Sequence, residues 1–173
     1  MPDGLFRLAV VTPEERLVDT RARSVVLRSS DGDLTVLDGH TPLVTDVTPG
    51  EVRVVPEEGD TVHLAVHGGY LQVETGPVPE DEAGAGAPGR STRVTLLAGV
   101  AELSDQIDVA RAERARDEAE ARLETLRAAG ARTGPQATAE AAQPHAGPEE
   151  VEVALAEAAL RRAQVRLEVA AAG

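Results

Sequence analysis

The sequence predicts an α+β chain in two parts: an N-terminal antiparallel β-sandwich over residues 1–101, then a C-terminal two-helix antiparallel hairpin over residues 102–173. Three observations predict it. Short runs rich in Val and Leu recur at roughly ten-residue intervals through the first half of the chain, as in an antiparallel sandwich or barrel. Dipeptides containing Gly or Pro separate those runs. After Ser104 the apolar period changes to alternating steps of three and four, which marks one face of a helix.

The candidate strands are Leu5–Val11, Arg23–Ser29, Asp33–Leu37, Glu51–Val55, Val62–Val66, Tyr70–Glu74 and Arg93–Ala98. Between them lie Thr12-Pro13, Asp31-Gly32, Asp38-Gly39, Pro49-Gly50, Glu58-Gly59-Asp60 and Gly68-Gly69. Asp-Gly provides the positive φ that a tight hairpin needs, and Pro-Gly suits a type II turn. His67-Gly68-Gly69 reads as a hairpin bend; as an oxyanion loop it would need a Gly-x-Ser-x-Gly elbow, which the chain lacks. With one Phe, one Tyr and no Trp, the core has to be built from Val, Leu and Ala.

In Asp108–Ala128 the helical face carries Ala112, Ala115, Ala119, Leu123 and Leu126; beyond Glu149 it carries Val153, Ala156, Leu160, Ala163, Leu167 and Ala170. Ser104 and Asp105 are the expected caps before the first helix, and Gly130 its expected stop. Two tracts without apolar periodicity, Gly76–Thr92 and Gly130–Pro148, read as flexible loops. The helical stripes are mostly Ala, so each turn buries little area and the helices should dock weakly and reversibly.

Composition removes several classes of function. The 173 residues carry 30 acidic and 17 basic side chains, a formal net charge of −13. Every base is Arg, and without Lys a Walker-type phosphate loop is excluded. An acidic chain with no basic stripe and no aromatic stacking platform is not expected to bind nucleic acid or an anionic membrane surface. The absence of Cys removes disulfides, thiolate nucleophiles and Cys-based metal sites. No apolar run nears the roughly 20 residues of a membrane span, so no direct membrane insertion is expected. Met1-Pro2-Asp3-Gly4 lacks the basic flank of a signal peptide, and a soluble intracellular protein is the expectation. His63 and His67 would share a strand face, but no third ligand is nominated, so no metal site is expected. No nucleophile–base arrangement emerges, and the chain is not read as an enzyme.

The residues that stand out run from Asp31-Gly32-Asp33-Leu34-Thr35-Val36-Leu37 through Asp38-Gly39-His40-Thr41-Pro42-Leu43-Val44-Thr45. Pro49-Gly50 and His67-Gly68-Gly69-Tyr70-Leu71-Gln72-Val73 follow them. Leu8-Ala9-Val10-Val11-Thr12-Pro13-Glu14 precedes them, and Val94-Thr95-Leu96-Leu97-Ala98 and Ile107-Asp108-Val109-Ala110-Arg111-Ala112 come after. In this order the set resembles the epsilon subunit family of bacterial F-type ATP synthases, over nearly the whole chain apart from the two loop tracts. Thr35 and Asp38 depart from the family pattern, which has Gly and Pro there.

The resemblance implies a β-sandwich with a helical hairpin, and a noncatalytic rotor (central stalk) subunit. Such a subunit couples proton-driven rotation to ATP synthesis and restrains ATP hydrolysis through its C-terminal helices. The partners it implies are the gamma subunit, the c-subunit ring and, with the helices extended, the catalytic alpha/beta head. The implied location is peripheral, on the cytoplasmic face of the cell membrane. Asp33 and His40 match interface positions at the sandwich end facing the ring and neighbouring stalk; turn chemistry explains the same residues. No cofactor is required, but some members bind regulatory ATP, and Glu102, Ile107, Asp108, Arg111, Ala112, Arg162 and Arg166 match those positions. Arg162 and Arg166 lie one turn apart, and Asp108 can pair with Arg111 at i and i+3. Glu118 stands where a further arginine is expected and would repel phosphate. The arginines equally serve to solvate an amphipathic helix, and a free-standing nucleotide-sensing module is the alternative reading.

Overall fold

The long strand β2 (Arg16–Ser29) takes part in both layers of a β-sandwich. A computed structural model of the chain describes residues 4–77, 90–132 and 147–173. The N-terminal half of β2 pairs with β1 (Phe6–Val11), which runs parallel to β8 (Arg90–Ala98). β8 pairs with β7 (Gly69–Pro77), and β7 with β4 (Leu43–Val47). The C-terminal half of β2 pairs on one edge with β3 (Gly32–Val36) and on the other with β5 (Gly50–Pro56). Beyond β5 come β6 (Val62–Val66) and β9 (Ala101–Leu103). The register shifts at Val10/Val11 and at Ala22/Ser24, where an extra residue bends the strand and lets it change layer.

Every expected strand is present among the described residues, most of them longer. Two unanticipated strands appear, β4 and β9; β9 has three residues, and β4 (Leu43–Val47) follows directly on the His40-Thr41-Pro42 loop. Among the described residues the β1–β8 pair is parallel and the other strand pairs are antiparallel. Gly68-Gly69 is not a hairpin bend: β6 and β7 do not pair, and the dipeptide carries the chain across from β5/β9 to β4/β8. A Cβ on Gly69 would run into the Leu97 carbonyl oxygen, so this corner requires glycine. The β2–β3 turn is Ser30-Asp31, with Gly32 at φ +124° opening β3. The Ser29 hydroxyl accepts from the Asp31 N–H and donates to the Gly32 carbonyl.

The core alternates along most strands, with Phe6, Leu8, Val10, Val25, Val36, Val52, Val54, Leu64, Val66, Leu71, Val73, Val94 and Leu96 buried; in β6, Leu64, Ala65 and Val66 are buried in succession. It is the expected Val/Leu core with the single Phe inside it. The single Tyr points out.

A 3-10 turn (Ser104–Gln106) leads to helices α1 (Val109–Arg132) and α2 (Pro148–Ala172). Residues through Ile107, with Glu168–Gly173, form one compact unit, and Asp108–Leu167 form a second. β9 and this turn therefore carry the β unit past the expected break after residue 101. Ser104 and Asp105 are in the 3-10 turn, and the cap of α1 is Asp108, whose Oδ1 accepts from the Arg111 N–H at 2.9 Å. α1 continues through Gly130 to Arg132. The β7–β8 ladder enters the first expected loop, pairing Gly76 with Ser91 and Pro77 with Arg90. The expected flexibility at 78–89 and 133–146 lies outside the described residues.

Phe6 is 1% exposed and Tyr70 is 64% exposed. Phe6→Ala should therefore cost about 3–5 kcal/mol in urea unfolding of the full chain. Tyr70→Ala should cost less than about 1 kcal/mol in the same experiment.

Candidate functional site

Asp33 is the second residue of β3, beside the β2–β3 turn and opposite Arg28. Its Oδ1 accepts from Arg28 Nε at 2.9 Å, and this hydrogen bond makes the Arg28 guanidinium hold its proton more tightly than usual. Both side chains are exposed. One turn away, the Ser30 hydroxyl donates to Asp46 Oδ1 at 2.7 Å, tying the turn to β4. Asp31, Asp33 and Asp46 thus give this end of the sandwich an acidic character moderated by Arg28.

His40 belongs to a different place. The loop after β3 turns tightly, with the His40 N–H donating to the Leu37 carbonyl. Two threonines directly opposite each other on β7 and β8 hold this loop. Thr75 Oγ1 donates to the His40 carbonyl, and Thr92 Oγ1, from a residue 1% exposed, accepts from the Gly39 N–H, both at 2.8 Å. The imidazole Nδ1 lies 2.8 Å from the Thr41 carbonyl. On β7 this clamp sits at Thr75, whereas the acidic end lies level with Tyr70, the partner of Asp46. Five residues of strand separate the two, about 16 Å. The structure therefore does not bring Asp33 and His40 to one end. The sequence lacked this information because the loop's position depends on hydroxyls more than thirty residues away.

A third feature was not singled out in the sequence. On the outer face of the β4–β7–β8–β1 layer, register places Tyr70 beside Leu97 and Leu97 beside Val11. Val44 on β4 is diagonal to Tyr70. Val44, Tyr70 and Leu97 are 70%, 64% and 50% exposed, more than scattered surface leucines explain. Farther along, the same face turns polar, with Gln72, Glu74, Thr95 and Arg93. A shallow cleft of ≈ 510 Å³ adjoins the apolar row, lined by Pro13, Gly68, Tyr70 and Leu97 among others. Period-2 alternation could have exposed the signal, since Tyr70 and Leu97 fall out of phase with the buried Leu71 and Leu96.

The residues matched to a nucleotide site divide between the units. Glu102, half-buried on β9, pairs with Ala65, and Ile107 is buried after the 3-10 turn. Both belong to the β unit, while Asp108, Arg111, Ala112, Arg162 and Arg166 belong to the helical one. Asp108 uses its carboxylate on the Arg111 backbone N–H, as the cap, and not on the guanidinium. Arg111 and Arg162 are exposed, Arg166 is half-buried, and Ala112 is buried. Glu118 is exposed on α1. Because the helices are antiparallel, Asp108 and Arg111 at the start of α1 share an end of the hairpin with Arg162 and Arg166 near the end of α2. His63 Nδ1 is 2.6 Å from Glu51 Oε1 across β5–β6, and no cluster of three metal-ligating side chains occurs among the described residues.

Residues 5–78 match the family model of the ATP synthase delta/epsilon chain β-sandwich domain. The ATP synthase epsilon chain of Desulforudis audaxviator is 37% identical over 123 residues, 71% of this chain and 77% of that one. The epsilon chain of Pelotomaculum thermopropionicum is also 37% identical over 123 residues, covering 79% of its length. A chain of the Euglena gracilis mitochondrial ATP synthase superposes with a TM-score of 0.62 at 20% identity, over 98% of this chain and 85% of that one, which shows a shared fold. Fold, motif order and identity along more than two thirds of its relatives' length agree: this chain belongs to the ATP synthase epsilon chain family.

Proposed function

We propose that this chain is a noncatalytic rotor subunit of an F-type ATP synthase, coupling proton-driven rotation to ATP synthesis and restraining hydrolysis through its helices. Family membership supports the role, and the observation that carries the docking part is the exposed apolar row Val44–Tyr70–Leu97 on a rigid sandwich face. That row meets the gamma subunit. The acidic turn with Asp33 meets the c-subunit ring, and His40, about 16 Å away along β7, serves a separate contact with the neighbouring stalk. The helices reach the alpha/beta head when extended. In this reading the functional division follows the two units, with docking in the β unit and regulation in the helical one. Among the described residues no helix is long and apolar enough to cross a membrane; the chain sits on the cytoplasmic face of the cell membrane through its partners.

The hairpin end with Arg111, Arg162 and Arg166 takes regulatory ATP. Guanidinium forks one turn apart on α2 complement phosphate oxygens, and Asp108 fixes the first turn of α1 that presents Arg111. A free-standing nucleotide sensor would show ATP binding without any gamma partner.

Tyr70→Glu with Leu97→Glu should lower affinity for a gamma-type partner by at least about 100-fold in copurification or surface binding, with the fold intact. Asp33→Ala should change ring association by less than about five-fold, as an exposed charge does. Unchanged gamma binding in the double variant would sink the docking assignment. Calorimetric titration of the full chain with ATP should give saturable heat, weakened about ten-fold or more by Arg162→Ala plus Arg166→Ala; a flat titration removes the ATP role. A chain ending after Ile107 should still assemble and should raise hydrolysis by the complex. No rise would overturn the restraint.

A further inference from the structure

The helical hairpin is closed by a seam poor in large side chains and flanked by opposite charges. Ala112, Ala119 and Leu123 are buried on α1, and Ala156, Ala163 and Val165 on α2 within this unit. Arg122 Nη2 donates to Glu152 Oε2 at 3.2 Å, and Arg127 Nη2 to Glu157 Oε1 at 3.4 Å. Within each helix the paired residues are five apart, which is about 140° around the axis. Leu123 and Leu126 fall between the two arginines, as Val153 and Ala156 fall between the two glutamates. One ion pair therefore lies on each side of the apolar seam, in the flanking positions that set partner choice and orientation in coiled coils. In both pairs the cation is on α1 and the anion on α2.

We infer that these two pairs form an electrostatic latch, and that ionic strength and the charges facing the seam set whether the hairpin is closed. An Ala-rich seam contributes little burial per turn, so the flanking charges weigh more here than in a Leu-rich hairpin. Each pair is exposed, with side chains 50–68% accessible, and is therefore open to screening by salt. On opening, α1 would present its stripe between arginines and α2 its stripe between glutamates. A surface that captures α2 in place of α1 must then offer cations on both sides of an apolar groove. The regulatory meaning of the latch rests on the proposed restraint of hydrolysis; the response of the hairpin to salt does not.

The full chain has no Cys, so Glu124→Cys and Ala154→Cys provide unique sites for spin labels on exposed positions of α1 and α2. The interlabel distance distribution, read between about 20 mM and 1 M salt, should shift toward open as salt rises. Arg122→Glu with Arg127→Glu should lower the closed-to-open ratio by about two- to five-fold per pair at low salt, and added salt should then favour closure. Adding Glu152→Arg and Glu157→Arg should restore closure, which separates lost pairing from lost helix; circular dichroism checks helix content in each variant. An unchanged distribution in the double reversal, or no recovery in the four-fold swap, overturns the latch. If the hairpin opens as expected while hydrolysis by the complex is unaffected, the latch stands and the restraint fails.

Discussion

The architecture depends on one strand serving two layers. β2 spans fourteen residues, and its halves pair with different neighbours on either side of the shift at Ala22/Ser24. Without that bend, Phe6, Leu8 and Val10 on β1 would not face Val52, Val54 and Leu64 across a shared core. Several features follow from it. The β2–β3 turn, with Asp33 beside it on β3, falls at one end of the sandwich, level with Asp46 and Tyr70. The return of the chain after β3 brings Gly39 and His40 to the other end, where Thr75 and Thr92 hold them. Exchange of the chain between layers occurs again at Gly68-Gly69, where close approach to Leu97 leaves no room for a side chain.

Most of this was legible locally and little of it at long range. Alternation of Val and Leu marked seven strands because burial on one face selects every second residue. The first half of β2 is hidden in the sequence because Arg16, Asp19 and Arg21 obscure its apolar phase; at the surface Arg16 pairs with Asp19 and Arg21 with Glu57. β4 was read only as part of a motif, since Val44 is exposed where a lone buried face would have been diagnostic. Gly68-Gly69 was recognised as a bend, but whether a bend makes a hairpin or a crossing depends on which strands pair. Pairing is a property of the whole sheet and not of two glycines.

The candidate sites divide the same way. The Asp108–Arg111 spacing suggests a side-chain pair, but the carboxylate goes to the Arg111 backbone N–H instead, because the first turn of a helix has donors without partners inside the helix. The apolar row of Tyr70 and Leu97 went unnoticed because each residue sits inside a motif whose neighbours are core. Only the register shows that the two residues adjoin. The ion pairs across the hairpin were invisible for a related reason: a helix rich in both Glu and Arg permits many pairings, and antiparallel register selects among them.

The two units differ in what holds them, and that difference suits the proposed division of labour. In the sandwich, large side chains such as Phe6, Leu8, Leu64, Leu71 and Leu96 are fully buried, each worth about 1.5–3 kcal/mol of burial. The helical seam is mostly methyl groups, and its charged flanks remain in water. Sites that must hold a fixed shape against a partner belong on the first kind of structure, and segments that change partner belong on the second. The bases that flank the seam are arginines, each making a single exposed contact to a carboxylate across it. The pairs closing the hairpin are thus placed by register but small in energy. A partner surface with complementary charge could compete for α2 without first having to overcome a hydrophobic core.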